Sequence, residues 1–192
     1  MGRPSDITPP PGAVDRDRGA IIVSILWIET AIGAIVICLR FIGRYMIRKI
    51  GWDDWLMLLT WGLFMASTVV VQLQASVGGY RHIYFLSQEA STRALELNFI
   101  LRGVHILSLA TGKASIGAQI LRLLVNQQMW QRWLVWGVLT LTVLVNVLNC
   151  IFKFVQCMPV EANWNPEIEG NCWPKQAQLG FAYFMSSTTT IL

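Results

Sequence analysis

The chain has 192 residues, 54% of them hydrophobic and only 14% charged, with a mean hydropathy of +0.50 and a formal net charge of +4. A soluble domain carries about 25% charged residues, so the deficit argues against a water-soluble fold. The small positive charge, with no basic run interleaved with aromatics, excludes nucleic acid as a partner.

The first 19 residues hold Pro9, Pro10 and Pro11 among mixed charges and read as a disordered tail. The domain proper is expected over 20–192, as an all-α polytopic transmembrane helix bundle. The first apolar segment, 20–42, is too long for the apolar region of a signal peptide and reads as an uncleaved span. The second, 55–77, carries no formal charge. A bilayer core is roughly 30 Å thick and takes about 20 helical residues to cross, which both segments supply. The third span, 95–124, contains Arg102, His105 and Lys113, and the fourth covers 133–154. The fifth, 177–192, is slightly short and ends without a polar flank, so a truncated chain is expected.

The connection 43–54 is the densest basic cluster, with Arg40 just before it and Arg44, Arg48 and Lys49 within it. The positive-inside rule assigns it to the cytoplasm, which sends the tail and the segment between Cys157 and Cys172 outside. A count over all loops does not decide the orientation, because Arg3, Arg16, Arg18, Arg81 and Arg93 then fall outside. Trp52, Trp55, Trp130 and Trp133 stand at span ends, as an interfacial belt would place them.

Four stretches carry chemistry, each with two readings. Gly51-Trp52-Asp53-Asp54-Trp55 opens the second span. Its aspartates either cap the helix and favour its dipole, or contact Arg44 or Arg48 in a cytoplasmic partner surface. Gly78-Gly79-Tyr80-Arg81-His82-Ile83 closes that span, as a turn against headgroups or as a ligand-facing or proton-sensing His82. In the third span His105, Ser108, Gly112, Ser115 and Gln119 share one face at 100° per residue, with Arg102 and Lys113 on an adjacent edge. Ionisable groups in a membrane mark a cavity or a buried pair, and Glu29 in the first span is the candidate counter-ion. Otherwise the face is a small-residue packing seam. Cys157 and Cys172 either form a structural disulfide, worth roughly 3 kcal/mol for such a loop, or remain free or pair elsewhere. The spacing suits no zinc site, and no GxSxG, HExxH or P-loop is present, so neither a metal nor a catalytic centre is expected.

These pieces, in this order, resemble the fungal rhodopsin-domain family of integral membrane proteins. Gly51-Trp52-Asp53-Asp54 is similar to that family's G-x-D-D signature, and residues 78–83 to its glycine-rich R-H-I segment. Lys113-Ala114-Ser115-Ile116 with Leu121-Arg122 resembles its K-x-S-I…L-R pattern. Gln156-Cys157-Met158-Pro159-Val160, Trp164, Gly170 and Cys172-Trp173 resemble its Q-C-x-P-V…W…G-x-C-W loop. The resemblance implies a seven-helix, receptor-like plan of which about five helices are present. Two departures stand out: Ser186-Ser187-Thr188-Thr189-Thr190 lacks the family's acidic residue, and the last two helices are missing. The family label implies neither light nor retinal: Lys113 lies in the third span, whereas retinal-binding rhodopsins carry their lysine in the last helix, and no cofactor is expected.

The expected function is receptor-like sensing in a multi-pass membrane protein, with the plasma membrane as its setting. A small hydrophobic ligand would meet His82, Arg102, His105, Lys113 and Glu29, and a cytoplasmic signalling partner would meet the face around Arg44 to Asp54 and Arg122 to Arg132. The alternatives are a membrane enzyme or transporter using Lys113, Arg102 and Glu29 in a buried cavity, or a non-functional fragment.

Overall fold

A computed structural model describes residues 15, 17–48, 50–82, 85–124, 129–165, 168–174, 176–177, 179–181, 183–184 and 187. Four long helices follow one another: α1 (Gly19–Met46), α2 (Trp52–Ser76), α3 (Gln88–Leu123) and α4 (Met129–Val155). All four are long and apolar enough to cross a membrane. Helices suit this sequence because lipid offers no partner for an open backbone N–H or C=O, and a helix satisfies each within itself. Beyond α4 come two short antiparallel strands, β1 (Cys157–Met158) and β2 (Asn171–Cys172), with a 3₁₀ turn over Val160–Asn163 between them. Of the expected fifth span, the described residues from 176 to 187 are helical and the rest lie outside the described residues, as does most of the expected N-terminal tail.

Local chemistry fixes the helix ends. Asp17 accepts from the Gly19 N–H at 2.8 Å and starts α1. Ser87 accepts from Ala90 N–H and starts α3 seven residues before its apolar stretch begins. At the end of α2, Gly78 adopts φ +81°, a left-handed conformation that L side chains rarely enter, and Gly79 N–H returns to the Gln74 carbonyl at 2.9 Å.

The polarity of the bundle is inverted relative to a soluble protein. Buried positions are mostly Thr, Ser, Asp, Gln and Asn, while Ile, Leu, Val and Trp cover the outside. Association in lipid relies on close backbone approach and interhelical hydrogen bonds, because apolar burial gains nothing there. α2 is central, packed between α1 and α3, and α4 packs on α3. The α1–α2 contact is held by Thr30 and Thr68, whose hydroxyls lie 3.1 Å apart, and by Trp61 Nε1 donating to the Thr30 carbonyl at 3.1 Å. In the α2–α3 contact Thr60 donates to Thr111 Oγ1 at 3.1 Å and Ser108 donates to the Thr60 carbonyl at 3.3 Å. The α3–α4 contact is close at Gly117, where any Cβ would run into Leu139. Trp52, Trp55, Trp130 and Trp133 stand exposed at the helix ends that share one side of the bundle.

Candidate functional site

At that same end, three helices are tied together by charge. Asp53 and Asp54 occupy the first turn of α2 and are 4% and 0% exposed. Such burial is costly unless each carboxylate is paired and hydrogen-bonded. Here both are. From α1, Arg40 donates through Nε to Asp54 Oδ1 at 2.8 Å and through Nη2 to Asp53 Oδ2 at 2.9 Å, a fork spanning both acids. Arg44, one turn later on the same face, donates to Asp53 Oδ2 at 3.3 Å. From α3, Arg122 reaches Asp53 Oδ1 at 3.1 Å.

The remaining polar valences are also filled. Asp54 Oδ2 accepts from the Gly51 N–H at 3.0 Å, which caps α2. Ser115 donates to the Asp53 carbonyl at 2.8 Å, and Arg40 Nη1 donates to Gln119 Oε1 at 3.0 Å. A Cβ at Gly51 would crowd Asp53 Oδ1 at 2.5 Å and Arg122 Nη1 at 2.6 Å, so a larger residue there would displace the side chains that form this clasp. Three guanidiniums against two carboxylates leave this clasp with one surplus positive charge.

Asp54 therefore caps the helix and both aspartates pair with Arg44, but they do so inside the bundle. A partner approaching this face meets the outer edges of the arginines, since the carboxylates are already enclosed. The sequence reading did not connect Arg40, Arg122 and Gln119 with the acids. The spacing of Arg40 and Arg44 by four residues was a usable signal, because it puts both on one face of α1.

Along α3, Ser108 and Ser115 are buried, and Gly112 sits against Thr60. This is the packing seam with α2. His105 stands at the edge of that stripe and is exposed, so it is not part of the seam. Arg102 is exposed and its Nε donates to Asn98 Oδ1 at 2.8 Å. Lys113 is half-buried on α3, and His82 is exposed in the α2–α3 connection. Glu29 corrects an expectation: α1 turns Thr30 and Ile37 toward the bundle and leaves Glu29 on the outside, where it makes no ion pair among the described residues. Glu29 is therefore not the counter-ion of Arg102 or Lys113. The five proposed ligand residues are spread over three elements, Glu29 on α1, His82 in the α2–α3 connection and Arg102, His105 and Lys113 on α3.

The opposite end of the bundle is closed by the loop after α4. Cys157 and Cys172 are joined in a disulfide and face each other across β1 and β2. Trp164 of this loop packs at a tilt, 5.1 Å from Phe99 of α3, which meets Phe154 of α4 at 5.6 Å. Between the loop and the start of α3 lies an open groove of about 540 Å³, lined by Gln88, Glu89, Thr92, Arg93, Glu96 and Asn165. Both amide atoms of Gln88 are buried there without a hydrogen-bond partner among the described residues. Nearby, burial pushes the Tyr80 phenol above its ordinary pKa, and its hydroxyl donates to Gln74 Oε1 at 3.3 Å. Cys38 and Cys150 are free thiols.

Residues 39–192 match the family model described as the fungal rhodopsin domain, a stretch that contains the clasp, the polar seam and the disulfide loop. No curated protein and no solved structure matches the chain.

Proposed function

We propose that this chain, which belongs to the fungal rhodopsin domain family, is a receptor-like sensor of the plasma membrane that reports a ligand at the disulfide-loop end to a partner at the clasp end. Disulfides persist on oxidising faces, which favours the outside for the Cys157–Cys172 loop. The clasp then faces the cytoplasm, in agreement with the basic cluster from Arg40 to Arg48. The groove between the loop and the start of α3 presents Glu89, Thr92, Arg93, Glu96 and Asn165 to a ligand from outside.

The observation that carries this reading is the sharing of Asp53 among Arg40, Arg44 and Arg122, drawn from α1 and α3. In this reading the buried carboxylate, held by cations on two helices, is the element whose pairing differs between the two signalling states. A shift of α3 that withdraws Arg122 leaves Asp53 still paired, and it frees a guanidinium for a cytoplasmic partner. The test is second-messenger output in cells carrying Asp53→Asn without added ligand. A bias of about 1 kcal/mol between two states corresponds to about fivefold in population, so ligand-independent output should change several-fold. Normal surface expression with unchanged output would overturn the signalling role.

An enzyme or transporter centred on Lys113, Arg102 and Glu29 draws no support from their positions. Glu29 and Arg102 are exposed on different helices, and Lys113 is half-buried on α3.

A further inference from the structure

The charges of the clasp largely neutralise one another, whereas two cations at the other end of the bundle do not. Arg102 is exposed on α3, and its only described hydrogen bond is the one from Nε to Asn98, which leaves both Nη groups available. Lys153 lies in the last turn of α4, the helix that packs on α3. Aromatic packing joins the two helices at this level. Phe99 is one turn before Arg102, Phe154 follows Lys153, and the two rings meet at 5.6 Å beneath Trp164. No carboxylate among the described residues forms an ion pair with either cation.

Depth decides what can neutralise them. Arg102 precedes Arg122 of the clasp by twenty residues, on the order of 30 Å along the axis and so about one hydrocarbon thickness. Lys153 lies the same number of residues beyond the interfacial Trp133. Both cations therefore stand at the level of the far headgroups. Arg102 opens sideways toward lipid, and Leu109, two turns further along the same face, is exposed and apolar. Charged groups at membrane depth pair or face water; here the accessible counter-charge is one that arrives within the bilayer plane.

We infer that the α3–α4 seam at Arg102 and Lys153 binds the anionic head of a membrane amphiphile, a phosphate or a carboxylate, with its tail lying along the lipid-facing side of α3. The inference rests on the membrane setting and is independent of the signalling role. Arg102 and Lys153 are binding residues in this account, and Phe99, Phe154 and Trp164 position them.

The test uses the full chain in phosphatidylcholine nanodiscs doped with phosphatidic acid or with oleate, with retained lipid read by native mass spectrometry. Arg102→Gln with Lys153→Gln should lower retention of the anionic species at least about tenfold, since hydrogen bonds to charged groups contribute about 1.5–3 kcal/mol each. Arg132→Gln, a cation at the opposite end of α4, should leave it unchanged. The exchange Arg102→Lys with Lys153→Arg keeps both charges and should keep binding, which guards against a variant that fails to fold. Retention of phosphatidic acid alone identifies a phosphate site, and retention of oleate a carboxylate site. Equal retention by the wild type and the double Gln variant, or no preference over phosphatidylcholine, overturns the inference. Displacement by inorganic phosphate overturns the amphiphile and points to a soluble anion.

Discussion

Replacing Asp53 by alanine is the most direct probe of the clasp. Three guanidinium nitrogens lose an acceptor at 2.9, 3.3 and 3.1 Å, and the surplus charge of the cluster doubles from +1 to +2. Removing one member of a buried ion pair costs about 3–5 kcal/mol. The arginine side chains are 18%, 23% and 35% exposed, so water and headgroups take up part of the stranded charge. The lower end, about 3 kcal/mol, is therefore expected. For a chain of this size each kcal/mol corresponds to about 2–4 °C, which gives a fall of about 6–12 °C. Fluorescence-detected size-exclusion thermostability in detergent reads this directly. Adding Arg122→Gln restores the cluster charge to +1 and should recover about 1 kcal/mol, the coupling expected between contacting residues. Glu29→Gln, on the outside of α1, should shift the midpoint by less than about 2 °C, within the usual range of isolated surface changes. A loss below about 2 °C for Asp53→Ala, or an equal loss for Glu29→Gln, would refute the clasp as a stabilising element.

Three further outcomes are expected. Gly117→Leu drives a side chain into Leu139 and should cost about 1–3 kcal/mol, with partial recovery when Leu139→Ala is added, measured by the same thermostability assay. Cys157→Ser opens a loop whose cysteines are 15 residues apart and should cost about 3 kcal/mol. In the parent, maleimide labelling from outside intact cells should require prior reduction. Thr68→Val removes the hydroxyl that meets Thr30 and should cost about 0.6 kcal/mol, the average for interhelical bonds in lipid; a neutral result would assign the α1–α2 contact to packing alone.

The spans were legible in the sequence because lipid imposes length and apolarity on any crossing helix. Their ends were less so. α3 begins at Gln88 instead of 95 because Ser87 supplies a cap and the polar first turns continue the helix beyond the apolar stretch. Asp53 and Asp54 announced a helix start, but their arginine partners come from helices distant in sequence, and only packing reveals Arg122. Glu29 failed as a counter-ion for the same reason: hydropathy shows that an acid lies within a span, but not which side of α1 faces α2. The stripe from Ser108 to Gln119 followed helical periodicity, while His105 fell outside it by the small angular drift that separates the seam from the lipid-facing surface.

α3 has 36 residues, about 54 Å of rod for a core of roughly 30 Å. It touches Trp164 through Phe99 near one end and Asp53 through Arg122 near the other. The two contacts are 23 residues apart on one unbroken helix, about 35 Å of lever arm. A tilt of about 3° about the upper contact moves the guanidinium by about 2 Å, more than a hydrogen bond at 3.1 Å tolerates. Between these two contacts Ser108, Thr111 and Ser115 bond the rod to α2, so the place of the Arg122 guanidinium is set by the whole length of the seam and not by either end alone.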